Sequence, residues 1–161
     1  MGAVVSSSAD VARLFAFLLN EPREHIYSLH VSGSNEVVGV ELVGMGGMTE
    51  ATCGVGDVFR SALLSGAAAI ILIHNHPSGR ATPSPSDRAL TEELRGAGRL
   101  LRIPLLDHVV IARRGYFSFA DHGLFESLRG AWQSAAERST AQHRRAKQRF
   151  TWWEGGELCE G

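Results

Sequence analysis

With 161 residues, 44% of them hydrophobic and 20% charged, the chain is long enough for one domain and an appendage and should bury about two thirds of its unfolded surface. A formal net charge of −1 excludes a whole-molecule attraction to nucleic acid or membranes, so any such attraction must be local. Two cysteines, Cys53 and Cys159, are too few and too far apart for a disulfide framework or a thiolate zinc ribbon and fit a reducing compartment.

Ser6, Ser7 and Ser8 offer caps for a helix over 9–19, in which Val11, Leu14, Phe15, Leu18 and Leu19 recur at helical spacing. Asn20 and Pro22 stop it. Residues 25–32 turn strand-like, and Gly33-Ser34-Asn35 leads into a second strand over 36–43, which predicts a hairpin. The glycine-rich stretch 44–56 reads as an irregular loop, and 57–65 as a helix with Val58, Ala62 and Leu63 facing inward. After Gly66, residues 67–73 carry no polar side chain, so 67–74 reads as a central strand buried on both faces. A helix over 85–101 places Leu90, Leu94, Ala97 and Leu101 on one side, and strands over 105–112 and 116–119 follow, joined by Arg113-Arg114-Gly115. Interleaved helices and strands predict a mixed α/β domain over 1–125, a curved mixed sheet flanked by helices.

From 126 to 161 the character changes to a helical basic tail with an acidic, Trp-containing end. Arg138, Arg144, Arg145, Lys147 and Arg149, with Phe150, Trp152 and Trp153 beyond, are the residue types that grip a nucleic-acid strand, although a solvated helix face is the simpler reading. The N-terminus lacks the pattern of a signal peptide, and no apolar run reaches the length of a membrane span. A soluble, cytoplasmic protein is expected.

The chemistry concentrates where the buried strand ends, in His74-Asn75-His76-Pro77-Ser78-Gly79. His74 and His76 are two apart, so in extended geometry both imidazoles point to one side. Asp87 returns a carboxylate after a loop too rich in proline to be helix. Two histidines, one carboxylate and an open fourth position make a catalytic zinc set, whereas a structural site closes all four positions with protein ligands. Ser84-Pro85-Ser86-Asp87 is equally a helix start, with Ser84 as N-cap and Asp87 at the third position. Capping and ligation compete, because a carboxylate turned toward an amide is not free for a metal. His108, in an apolar strand, reads more readily as a core histidine bonded to backbone than as a partner of a metal ligand. His25 and His30 read as surface or sheet positions, and His122 as part of a turn.

His-x-His, seven residues, Ser, two residues, Asp resembles the JAMM (MPN-plus) metalloprotease signature, and His-Asn-His-Pro-Ser-Gly resembles its RadC branch. The resemblance extends through Leu105-Leu106-Asp107-His108-Val109-Val110-Ile111 and Gly115-Tyr116-Phe117-Ser118-Phe119, and it is loose over 44–56. It implies a JAMM/MPN fold, like cytidine deaminase in broad layout, and a zinc-dependent hydrolase of peptide or isopeptide bonds. By the same resemblance Ser84 offers its hydroxyl to the oxyanion, and an upstream glutamate acts as general base. Glu24, which follows the first helix and precedes the first strand, matches the position of that glutamate better than Glu41, which reads as a charge on the solvated face of a strand. Other classes compatible with the motif are a DNA-associated phosphodiesterase or nucleic-acid binder and a non-catalytic interaction module.

Overall fold

The computed structural model describes residues 2–46 and 53–125. The tail expected over 126–161, with its basic and tryptophan residues, and the middle of the 44–56 loop lie outside the described residues.

The first helix, α1 (Ser8–Leu14), starts where its cap is. The Ser7 hydroxyl accepts from the Asp10 amide, and the Asp10 carboxylate in turn accepts from the Ser6 amide and the Ser6 and Ser7 hydroxyls. The helix is shorter than the spacing predicts, passing at Phe15 into a 3-10 turn over Ala16–Asn20. The tighter turn aligns residues three apart. Phe15 and Leu18 are therefore buried while Leu14 and Leu19 are exposed.

Five strands form one sheet in the order β2-β1-β3-β4-β5. The hairpin β1 (His25–Val31) and β2 (Val37–Met45) lies at one edge, and β1 runs antiparallel to β3 (Ala69–Asn75). β3 is parallel to β4 (Leu105–Ala112), which pairs antiparallel with β5 (Gly115–Ser118). A parallel pair needs a long crossover, here α3 (Pro85–Leu101). The remaining helix, α2 (Val55–Leu64), precedes β3.

All seven residues of β3 are buried, and strand alternation divides them between two cores. Ile71 and Ile73 join Val11, Phe15 and Leu18 beneath α1, while Ile70 and Leu72 join Phe59, Ala62 and Leu94 beneath α2 and α3. His74 is the next side chain on that second face. The inward faces of the helices differ from expectation at two places. Leu63 and Leu101 are exposed, and Phe59 of α2 and Thr91 and Gly98 of α3 are buried instead. Gly98 is there because α3 comes close to the chain that leaves it: a Cβ would stand 2.6 Å from the Ile103 carbonyl oxygen. Among the described residues no helix is long and apolar enough to cross a membrane.

His30 occupies a sheet position, but a buried one, under α2. Its Nδ1 lies 3.0 Å from the Ser65 hydroxyl and its Nε2 3.3 Å from that of Ser61. Burial lowers its pKa from the ordinary 6.5, against an opposing pull from Glu41. The stability it contributes is then fully present above the unfolded pKa and is lost as pH falls through the folded one. Thermal melts across the weakly acidic range should show Tm falling with pH in the parent and falling less steeply in His30→Gln; equal slopes would assign the acid sensitivity elsewhere.

Candidate metal centre

The apolar run of β3 carries His74 to the end of the strand at 3% exposure, and His76 follows one residue beyond it on the same face. The chain then crosses Pro77 to Pro83 and starts α3, whose first turn faces the strand end. That start is a full capping box. The Ser84 hydroxyl accepts from the Asp87 amide at 3.1 Å, and Asp87 Oδ2 accepts from the Ser84 amide at 2.6 Å.

The expected competition between capping and facing a metal does not arise, because a carboxylate has two oxygens. Asp87 Oδ1 lies 3.2 Å from His74 Nε2, and Oδ2 lies 3.4 Å from His76 Nε2 while it also caps the helix. The two Nε2 atoms are 2.8 Å apart. Burial works against charge on Asp87, but the imidazoles of His74 and His76 and the Ser84 amide hold its carboxyl far below the usual carboxylate range. Burial likewise lowers the His76 pKa, yet its bonds to Asp87 and the Arg80 carbonyl, with the charges of Asp87 and Glu24, leave it raised.

The chemistry of these donors fits a metal. His76 Nδ1 lies 2.9 Å from the Arg80 carbonyl oxygen, which can only accept, so Nδ1 carries a proton and Nε2 is the nitrogen able to offer a lone pair to a metal. One donor atom from each of His74, His76 and Asp87 lies within 4.8 Å of the others. Ligands ~2.0–2.1 Å from a tetrahedral zinc stand about 3.3 Å apart, close to the two His–Asp separations. The group could hold one metal ion.

Of the other expected residues, Ser84 sits at the helix cap beside Asp87, and Glu24 lies just before β1. The β1–β3 register pairs Ile26 with His74. Glu24 stands two residues before that pair, and its charge acts on His76. Glu41 lies on the edge strand opposite Ser28, and its charge acts on His30.

Two residues acquire partners that motif spacing does not disclose. Asn75, on the opposite face from the two histidines, accepts from the His25 amide at 2.8 Å and donates to the Arg23 carbonyl at 3.0 Å, gripping the chain on both sides of Glu24. His108 is a core histidine, but its ring is not bonded to backbone as expected: Nε2 lies 2.8 Å from His74 Nδ1 and Nδ1 lies 2.7 Å from the Thr91 hydroxyl. The one sequence signal for it was a histidine amid apolar residues of β4. A cavity of about 150 Å³, lined in part by Leu18, Glu21, Pro22, Pro77, Ile111 and Arg113, adjoins His76.

A mixed sheet with an H-x-H at the end of a buried strand and an aspartate in the first turn of the next helix defines a domain of the JAB class. The chain belongs to the RadC-like JAB domain family, whose model matches residues 5–124. Proteins named UPF0758 are similar: one from Pelodictyon phaeoclathratiforme is 41% identical over 105 residues, covering 65% of this chain and 47% of that protein. Another from Chloroflexus aggregans is 40% identical over 121 residues, covering 74% and 53%, and one from Thermotoga maritima is 37% identical over 119 residues, covering 74% and 54%. The chain spans about half the length of these relatives.

Asn75→Ala should leave the half-buried His25 amide without its acceptor, at a cost of about 1 kcal/mol. Hydrogen exchange at the His25 amide is expected to accelerate relative to the centre of β1, and unchanged protection there would mean that Asn75 does not hold this segment.

Proposed function

We propose that the protein is a zinc-dependent hydrolase of the JAMM type that cleaves amide or isopeptide bonds, with His74, His76 and Asp87 as ligands, Glu24 as general base and Ser84 as oxyanion donor. The observation that carries this reading is the convergence of three donor atoms within 4.8 Å, with the charge of Glu24 acting on His76. Three protein ligands leave a coordination position for water, the arrangement of catalytic rather than structural zinc. Zinc bound there would lower the pKa of that water to about 7.

The rest is work for side chains of this chain. Glu24 accepts the proton of the attacking water and returns it to the departing amine, so that the amide C–N bond breaks without releasing an amide anion. Ser84 accepts from the Asp87 amide through its oxygen and retains an O–H that can donate to the oxyanion of the tetrahedral intermediate. Asn75 fixes the backbone on both sides of Glu24.

Elemental analysis should give about one zinc per chain, with loss in His74→Ala, His76→Ala and Asp87→Asn, the last retaining an acceptor for the Ser84 amide. Equal zinc in all four proteins would remove the ligand set. On a peptide or isopeptide substrate, Glu24→Gln should keep zinc and lose roughly 10²–10⁴-fold in rate, the range for a positioned acid–base group. Glu41→Gln should stay near the parent. The reverse result would transfer the base to Glu41, and turnover of phosphodiesters without any amide substrate would overturn the reaction class.

A further inference from the structure

We propose that His108 and Thr91 are positioning residues that fix the orientation and hydrogen-bond polarity of His74, so that its Nε2 lone pair is presented to the centre it shares with His76 and Asp87. The inference rests on the ligand role proposed for His74, and it is derived from a chain of hydrogen bonds whose direction is forced from one end.

That end is the backbone carbonyl of Asp87, which has no proton to give. The Thr91 hydroxyl lies 2.5 Å from it, one helical turn on, and must therefore donate. With its proton spent, the Thr91 oxygen can only accept from His108 Nδ1, 2.7 Å away. The His108 ring has no exposure to solvent, and its two nitrogens meet a hydroxyl and an imidazole rather than a carboxylate, so nothing there offsets the cost of burying a charge and the ring is neutral. A neutral ring protonated at Nδ1 is an acceptor at Nε2. His74 Nδ1, 2.8 Å distant, must then be the donor, which leaves His74 Nε2 unprotonated. That nitrogen lies 3.2 Å from Asp87 Oδ1.

The circuit begins and ends on one residue. The hydrogen bonds run from the Asp87 carbonyl through Thr91 and His108 to His74, whose Nε2 then stands beside the Asp87 carboxylate, and so they join α3, β4 and β3 at the site. The His108 ring is also held against rotation, stacked on Phe119 with centroids 4.9 Å apart and planes 7° apart. Asp107 secures its backbone: Oδ1 accepts from the His108 amide at 2.7 Å and Oδ2 from the Ser118 hydroxyl at 2.5 Å. A core histidine that served packing alone would need neither a fixed polarity nor a partner on a candidate ligand.

The test reads tautomers and metal affinity separately. Long-range proton–nitrogen spectra of the ¹⁵N-labelled parent at neutral pH, without metal, should show both His74 and His108 protonated at Nδ1. His108→Phe keeps a ring against Phe119 but offers no acceptor; His74 should lose its single tautomer, and zinc affinity measured calorimetrically should fall about 10–100-fold, as for lost outer partners of ligating histidines. His108→Gln, with an amide oxygen able to accept from His74, should recover most of that affinity. Thr91→Val, which keeps the shape, should disturb the His108 tautomer and weaken zinc less than His108→Phe. An Nε2-protonated His74 in the parent would overturn the proposal, as would parent-like zinc affinity in His108→Phe. If His108→Phe does not fold, unaltered tautomers and affinity in Thr91→Val overturn it equally. Tautomers that behave as stated in a parent that binds no zinc would uphold the relay and remove the ligand reading instead.

Discussion

The carboxylate of Asp87 joins the first turn of α3 to the end of β3. One oxygen closes a capping box with Ser84 and also faces His76, while the other faces His74. A cap of this kind contributes on the order of 1 kcal/mol to a helix. Here it has a second effect, because the first turn of the helix cannot shift without moving the carboxylate away from both imidazoles. Packing holds the rest of α3 to the sheet, through Leu94 and through Gly98, where the backbone comes too near the Ile103 carbonyl to leave room for a side chain. The position of the carboxylate is thus set by helix–sheet packing along the whole crossover.

Around this contact the sheet supplies direction. β3 is apolar on both faces, so its pleat is fixed by two cores at once, and the face that buries Ile70 and Leu72 continues to His74. The parallel neighbour β4 pairs Leu72 with His108, which brings a buried ring to the rear of His74. The antiparallel neighbour β1 leads back from Ile26 to Glu24. Three chain segments remote in sequence reach one point because three adjacent strands carry them there.

What the sequence disclosed follows the range of the interactions. The capping box, the buried strand and the spacing of His74, His76 and Asp87 are local patterns, written within 18 consecutive residues, 70–87. Strand pairing was legible in outline, since hairpin turns and the helical crossover restrict which neighbours are possible. Partners that depend on register were not. His108 carries a polar ring in an apolar strand, and only the alignment of β4 with β3 reveals that the ring meets His74 rather than backbone. Asn75, within the motif itself, faces away from the two histidines, and its contacts with Arg23 and His25 span about fifty positions of chain. The inward faces of α2 and α3 were misjudged at Leu63 and Leu101, where helical spacing admits neighbouring stripes and the contour of the sheet decides between them.

The pairing of β1 with β3 also limits how the segment before β1 can change over time. Because side chains alternate sides along a strand, an insertion or deletion of one residue between Asn75's grip at Arg23 and Ile26 would turn Glu24 to the opposite side of the sheet or slide it past His76. Length variation is tolerable further upstream, around Asn20 to Pro22, where the 3-10 turn ends and no strand partner counts residues. Related chains should therefore differ in the size of that connection while keeping an invariant interval from the glutamate to the strand, a signature of spacing rather than of residue identity.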